Sequence, residues 1–312
     1  MVSVTIRPFA KSESHMKNGE WEWETTADEK VLRLAIDPHS SEREIENTFR
    51  KFAFDTKHRW GDVPTIDFSE LREVAASAVH GVALSDYRLD WLKAEKDRSD
   101  ELCLYILSEE LDQDMLNRAE IEAEVKMRVM HLVDLPPNKK RPSDMGQWAR
   151  ESAKEYGFDC EVWNDDHVIS AELSALHAVG RGSAHDPVFI VSKYFGRKGD
   201  QKIDLALVGK GVTFDAGGIS IKPATNMHFM KSDMAGGAAM LGAIELAARL
   251  GLNINLAAIV PAAENTLDGK SLLPGEVIQT YSGKTVEVID TDAEGRLILA
   301  DALSWTVRNL KP

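Results

Sequence analysis

Four acidic residues stand in Gly- and Ala-rich sequence near the carboxyl end of the chain, outside any solvated run of charge. Carboxylates that converge repel one another strongly, so such a cluster needs protons, basic partners or metal ions. Two divalent cations would balance four negative charges. Taken singly, each acid could equally cap a helix or a turn, whereas together they favour a polar site. The four residues are Asp215, Asp233, Asp292 and Glu294.

The last two acids belong to a regularly spaced trio. Asp292, Glu294 and Arg296 occupy every second position. An extended segment would project all three side chains to one side, because successive side chains of a strand alternate between its faces. The spacing therefore predicts a tight polar cluster on an extended segment.

Two lysines lie in the same Gly-rich stretch of sequence as these acids. Lys210 lies between two glycines after the apolar run LALV, and Lys222 follows the pair Gly217–Gly218 and precedes Pro223. Without these neighbours, Lys222 would be interpreted as an ordinary surface lysine. The positions of both lysines instead favour a part in the polar site.

Three segments that carry these residues resemble the leucyl aminopeptidase family, and within it the peptidase B-like branch. They read VGKGVTFDAGGISIK, MKSDMAGGAAM and DTDAEGRL, in that order. The resemblance covers residues 126–312 well and the amino-terminal part only loosely. One departure is Asp290, where the family usually has Asn, and we expect it to alter the local charge and the substrate preference.

The resemblance implies two divalent metal ions, with Mn²⁺ or Zn²⁺ favoured, although carboxylate-rich ligands do not select one metal. A lysine binds a metal only as the neutral amine, which requires a strongly lowered pKa. Lys222 is expected to stay charged and to stabilise an oxyanion. Arg296 is expected to hold a bicarbonate ion that acts as general base. The implied metal ligands are Lys210, Asp215, Asp233, Asp292 and Glu294.

The implied reaction is hydrolysis of the amino-terminal residue of a peptide by a water that bridges ions about 3.5 to 4 Å apart. A free α-amine on the peptide would anchor the substrate. No Ser, Cys or His in this stretch has an arrangement suited to nucleophilic catalysis, and we expect His228 at the surface or behind the ligands.

The 312 residues suggest two domains. Residues 1–125 predict a smaller α/β domain that ends in a connector helix over 108–130, which Pro136 and Pro137 stop.

Residues 126–312 predict a mixed-sheet α/β/α catalytic domain, truncated at its carboxyl end, with ligands in loops after strands. In it we expect a helix over 143–157 capped by Ser143, a structural turn at ALHAVGRGS, and a strand over 286–290 that leads to the last ligands.

The composition of the chain disfavours some classes of function. A net charge of −14 disfavours nucleic acid as a partner. The chain has no run of about 20 apolar residues and no signal-peptide pattern, so we expect a cytoplasmic protein without membrane contact. Cys103 and Cys160 are expected to be ordinary thiols without a disulfide. The family resemblance implies a homo-hexamer for the full-length protein.

Members of the resembling family continue well past DTDAEGRL, whereas this sequence stops at Pro312. The sequence does not distinguish an artificially shortened chain, a fragment and a natural short form. An alternative function is also open: a non-catalytic remnant that keeps the metal site and serves as an assembly or binding partner. Retention of every polar site residue favours the aminopeptidase as the evolved function. We expect the isolated chain to be weakly active or inactive and to self-associate.

Overall fold

A computed structural model describes residues 4–25, 30–60, 63–90, 92–94, 105–107 and 111–312. Cys103 lies outside the described residues, as do residues 108–110 of the predicted connector helix. The chain divides into two compact units, Met1–Met127 and Arg128–Pro312. Each unit has its own sheet and hydrophobic core.

The first unit is built on a five-stranded sheet of order β2-β3-β1-β4-β5. Strand β1 runs parallel to β3 and β4, and β2 runs antiparallel to β3. Helices α1 and α2 contribute Phe49, Phe52 and Val82 to its core. The element bounds are β1 Val4–Ala10, β2 Trp21–Thr25, β3 Lys30–Ile36, α1 Glu42–Thr56, β4 Thr65–Ile66, α2 Ala75–Leu84, β5 Ile106–Leu107 and α3 Gln113–Asp134.

The second unit has helices on both faces of a mixed sheet. Its strand order is β6-β7-β10-β8, and β9 also pairs with β10. The bounds are α4 Pro142–Tyr156, β6 Asp159–Trp163, α5 Asp165–Ser170, α6 Ser174–Gly180, β7 Val188–Phe195, β8 Leu205–Val208, β9 Gly211–Asp215, α7 Ala235–Arg249, β10 Asn255–Asn265, β11 Val277–Gln279, β12 Thr285–Glu287 and α8 Glu294–Asn309. The predicted mixed-sheet α/β class is confirmed.

Strand β10 is the centre of the second unit, since every one of its residues is buried. Ala257 and Ile259 pack into one core with α6 and α8, whereas Ala258 and Val260 pack into the other with α4 and α7. Successive strand residues face opposite sides of a sheet, so a strand buried on both faces must be apolar at nearly every position. This requirement accounts for the run LAAIVPAA.

The edge of β10 that pairs with β8 and β9 contains a break. β8 pairs up to Val208 opposite Ile259, and β9 resumes at Gly211 opposite Ala262. Pro261 lies opposite the interruption and has no N–H with which to continue the ladder. Gly209 still donates its N–H to the carbonyl of Ile259 at 3.0 Å, and Lys210 after it leaves the sheet.

Two local predictions were wrong. The segment ALHAVGRGS begins as helix α6, because Ala175, Leu176 and Val179 recur at helical spacing and pack into the core. Ser143 does not cap α4. That helix begins at Pro142, and the Asp144 carboxylate accepts the backbone N–H of Arg141 at 2.9 Å. Proline is favoured at the first helical position because its missing N–H needs no partner there.

Two further observations concern the described residues. None of their helices has the length and apolar character needed to cross a membrane. Cys160 on β6 is a half-buried free thiol, and burial raises its pKa. A raised pKa disfavours the reactive thiolate, which agrees with the ordinary thiol expected at this position.

Helix α8 is anchored by a buried carboxylate. Asp301 is 0% exposed and accepts three backbone N–H groups, from Ala175 at 2.7 Å, Leu176 at 3.2 Å and Tyr281 at 2.7 Å. Two of these donors belong to the first turn of α6, where N–H groups lack partners within the helix. Burial raises the pKa of Asp301, and the three donors oppose that shift. Asp301 thus joins α8 to α6 and to the turn after β11.

We predict that Asp301→Ala lowers the free energy of unfolding by about 3 kcal/mol or more, because it leaves three buried donors without an acceptor. Chemical denaturation of the purified chain measures this loss. Leu303→Ala is the matched control, since Leu303 lies on the same helix but is 52% exposed. Its cost is expected to stay within about 0.5 kcal/mol. Equal costs for the two variants would contradict the anchoring role.

Candidate metal centre and active site

Lys210 projects from the break between β8 and β9 towards two acids. Its Nζ lies 2.6 Å from Asp233 Oδ2 and 2.7 Å from Glu294 Oε1. The Lys210 carbonyl accepts the N–H of Gly237 at 2.7 Å, which ties the break to the first turn of α7. Gly295 makes room for the lysine, because a Cβ there would lie 2.8 Å from Lys210 Cδ and Cε.

Asp215 is the last residue of β9 and is almost fully buried. Its Oδ1 accepts the N–H of Gly217 and the side-chain amide of Asn265, both at 2.9 Å. Its Oδ2 lies 2.9 Å from Lys222 Nζ. Gly217 has φ of 89°, and a Cβ there would lie 2.4 Å from the carbonyl of Ser220. Glycine is thus required for the turn that returns Lys222 to Asp215.

The last two acids lie at the start of helix α8. Asp292 belongs to a short 3-10 turn and pairs with Lys222, and Glu294 is the first residue of α8. The prediction of an extended segment was therefore wrong. A spacing of two over so few residues does not distinguish a strand from a helix start. The strand expected to lead here is the short hairpin strand β12, which pairs with β11 and not with the main sheet.

The site combines four carboxylates with two lysines, each lysine shared between two acids. Burial raises the pKa of Asp233 and of Glu294, and Lys210 opposes both shifts. Burial lowers the pKa of Lys210, but the two acids outweigh it and raise the pKa above its ordinary value. A divalent cation beside these acids would repel an ammonium and reverse that direction.

The donor set fits divalent metal ions. Ligand oxygens of Asp215, Asp292 and Glu294 lie within 4.8 Å of one another. Glu294 is 1% exposed; its Oε1 pairs with Lys210 at 2.7 Å, whereas its Oε2 accepts no hydrogen bond from the part of the chain that the structure describes. A buried carboxylate oxygen without a donor is costly, and a second cation beside it would remove that cost. Hard oxygen donors suit Mn²⁺ and Mg²⁺, and Zn²⁺ also accepts them.

Three further residues considered in the sequence occupy the margin of this site. Arg296 is exposed in the first turn of α8, and it forms no ion pair within the described residues. Asp290 Oδ1 accepts the N–H of Asp292 at 2.9 Å and so caps the 3-10 turn, a contact that an Asn oxygen makes equally well. His228 is exposed beside Phe229, their ring centroids 4.1 Å apart.

Sequence reasoning missed the uncharged residues that hold the charged ones. Thr291 Oγ1 donates to the carbonyl of Gly217 at 2.6 Å and accepts the N–H of Ser220 at 2.8 Å. Asn265 Nδ2 donates to the carbonyl of Thr291 at 3.0 Å as well as to Asp215. Asn265 follows Glu264 at the end of β10, so a polar residue at this strand end did not stand out in the sequence.

The second unit is thus an α/β/α domain with a lysine–carboxylate cluster suited to divalent cations. A family model described as "Cytosol aminopeptidase family, catalytic domain" matches residues 128–312. The chain belongs to the cytosol aminopeptidase family, and the family predicted from the three sequence segments is confirmed.

Similar proteins agree with this assignment. A probable cytosol aminopeptidase of Chlorobium limicola is 40% identical over 273 residues, which cover 79% of this chain and 54% of that relative. Another, of Chlorobium luteolum, is 50% identical over 182 residues, which cover 58% of this chain and 36% of that relative. The chain spans about half the length of the curated relatives it matches.

Solved structures show the same fold. The bottromycin maturation enzyme BotP in complex with Mn is 30% identical, with a TM-score of 0.84 over 100% of this chain and 70% of that chain. The cytosol aminopeptidase of Coxiella burnetii is 25% identical, with a TM-score of 0.82 over 98% of this chain and 68% of that chain.

We predict that Gly295→Ala displaces the Lys210 side chain and weakens Mn²⁺ binding by about 10-fold or more while the fold is kept. The added Cβ would contact only the flexible end of that side chain. Isothermal titration with Mn²⁺ and a thermal melt measure both properties. Gly236→Ala is the control, because its Cβ would lie 3.6 Å from the Lys210 backbone, an ordinary contact. Unchanged Mn²⁺ affinity in Gly295→Ala would contradict the prediction.

Proposed function

We propose that this chain carries the catalytic site of a metal-dependent aminopeptidase that removes the amino-terminal residue of peptides. The observation that supports this proposal most strongly is the lysine–carboxylate cluster within a cytosol aminopeptidase catalytic domain. The site joins acids that can hold cations to a lysine and an arginine available to a substrate.

Five side chains would hold two divalent ions, with Mn²⁺ or Zn²⁺ favoured. When bound, such ions supply a Lewis acid and lower the pKa of a water nucleophile. The shared lysines divide the acids into two groups, one around Lys210 and one around Lys222. The proposed ligands are Lys210, Asp215, Asp233, Asp292 and Glu294.

Lys222 would act as an electrophilic catalyst. Burial lowers its pKa, but Asp292 and Asp215 outweigh this and raise the pKa far above its ordinary value. The side chain therefore stays an ammonium at neutral pH. Held by two carboxylates, its Nζ can donate to the carbonyl oxygen of the scissile peptide bond as negative charge develops there.

Arg296 would hold the proton acceptor. Arg296 is exposed in the first turn of α8, two residues after Glu294. A planar guanidinium forms two parallel hydrogen bonds to a carbonate-like anion. Bicarbonate bound in this way could take the proton of the nucleophile without a histidine, and His228 lies exposed on the 3-10 turn before Asp233.

The location, substrates and assembly that we propose for the protein are those implied by its family. We propose a cytoplasmic enzyme that takes peptides with a free amino terminus and that assembles, in its full-length form, as a homo-hexamer. The net charge of −14 is unfavourable for nucleic acid. The relatives of this chain are named cytosol aminopeptidases.

We predict that this chain or its full-length form hydrolyses leucyl-4-nitroanilide in the presence of Mn²⁺, and that it hydrolyses acetyl-leucyl-4-nitroanilide with a kcat/KM lower by about 100-fold or more. A free α-amine would ligate a bound ion through its lone pair, whereas acetylation delocalises that lone pair into an amide and removes the anchor. Absorbance of released 4-nitroaniline measures both rates. Equal rates would refute the exopeptidase proposal, and Mn²⁺ binding without any turnover would favour a non-catalytic binding partner.

Two substitutions separate metal binding from proton transfer. Glu294→Gln is expected to weaken Mn²⁺ binding by more than the roughly 10- to 100-fold typical of residues that only support a ligand. Arg296→Lys is expected to leave the affinity within about twofold and to lower kcat by about 100-fold, since the guanidinium fork is lost. Titration calorimetry and steady-state kinetics supply the two readouts. An emptied metal site in Arg296→Lys would instead place Arg296 among the residues that maintain the cluster.

A further inference from the structure

One buried amide connects the segments that carry the acids. Asn265 ends β10 and is 4% exposed. Its Nδ2 donates to Asp215 Oδ1 at 2.9 Å and to the carbonyl of Thr291 at 3.0 Å. Thr291 directly precedes Asp292. A single side chain therefore joins the end of β9 to the turn that begins α8.

The backbone of Asn265 adds two further constraints. Asn265 pairs with Asp215 in the parallel ladder, and its carbonyl accepts the N–H of Ala216 at 2.9 Å. Gly218 packs against the amide, because a Cβ there would lie 2.7 Å from Asn265 Oδ1. The Gly217–Gly218 turn, which leads to Lys222, is thus fitted to the same side chain.

The two oxygens of Asp215 differ as a result. Oδ1 accepts two N–H groups, from Asn265 and from Gly217, whereas Oδ2 faces Lys222. An oxygen with two donors has little capacity left for a cation, so Oδ2, whose one partner is Lys222, is the oxygen with capacity left to coordinate. The Asn265 amide occupies Oδ1 without adding a charge to the site.

We propose that Asn265 is a positioning residue of the metal centre. It holds Asp215 so that only Oδ2 is presented, and it sets the separation between Asp215 and the segment of Asp292 and Glu294. The inference rests on the proposed function, since it concerns the same metal site. Hydrogen-bonding partners of metal ligands commonly change metal affinity by about 10- to 100-fold when they are removed.

The test compares Asn265→Leu with Asn255→Leu in the 312-residue chain. Leucine has nearly the shape of asparagine but no donor. Asn255 is a close control, because it begins the same strand, is 0% exposed, and donates its Nδ2 to the carbonyls of Asp200 and Lys202, both at 2.9 Å. Asn265→Leu removes two side-chain hydrogen bonds and Asn255→Leu removes three, the third being that from the Arg197 N–H to Asn255 Oδ1 at 3.0 Å, so both should lower thermal stability. Only the bonds of Asn265 involve the proposed metal ligands.

Titration of each variant with Mn²⁺ alone is expected to show binding weakened by about 10- to 100-fold for Asn265→Leu and changed by about twofold or less for Asn255→Leu. Higher Mn²⁺ concentration should restore turnover in Asn265→Leu, and a thermal melt of the metal-free variant shows whether it is folded before Mn²⁺ is added. If Asn265→Leu does not fold, Asn265→Ser gives the same comparison with a smaller side chain.

The outcomes distinguish the two proposals. Mn²⁺ affinity in a folded Asn265 variant equal to that of Asn255→Leu would overturn the positioning role. A parent chain that binds Mn²⁺ without hydrolysing leucyl-4-nitroanilide would overturn the proposed activity, while the affinities would still decide the role of Asn265. A parent chain that binds no Mn²⁺ would overturn both proposals.

Discussion

Repulsion among four carboxylates is the interaction on which this site depends. At about 4 Å and an effective dielectric constant of about 20, each close like-charge pair costs about 4 kcal/mol. Two ammonium groups offset that cost, and each is shared by two acids. The lysines thereby keep the acids ionised and close together in a partly buried place. Side chains held in this arrangement need little rearrangement to receive divalent cations.

The backbone brings these charges together by interrupting regular structure. The ladder along β10 breaks opposite Pro261, and Lys210 leaves the sheet at the break. The turn after β9 depends on glycine with positive φ at Gly217 and Gly218, which lets Lys222 return to the end of its own strand. Such departures cost stability in an isolated segment. Here they are supported by two hydrophobic cores that enclose β10 on both faces.

The sequence predicted the charged part of the site better than its geometry. Lys210, Asp215 and Lys222 stand out because charged residues are rare in Gly-rich, apolar surroundings, and the structure brings them together with the other three acids. Asn265 and Thr291 escaped notice, because an amide or a hydroxyl gives no such contrast and its partners are distant in sequence. The start of α8 was interpreted as extended because a few alternating residues fit both a strand and a first helical turn.

The position of Glu294 is fixed from the middle of its helix. Glu294 and Asp301 are seven residues apart, which places them on one face of α8 about 10 Å apart along its axis. Asp301 binds the first turn of α6, and Leu297 and Ile298 between them pack into the core. A rotation of α8 that moved Glu294 away from Lys210 would also pull Asp301 from its three donors. The buried carboxylate that anchors α8 and the carboxylate that faces Lys210 therefore lie two turns apart on one rigid element, and packing about 10 Å away helps to fix the geometry of the site.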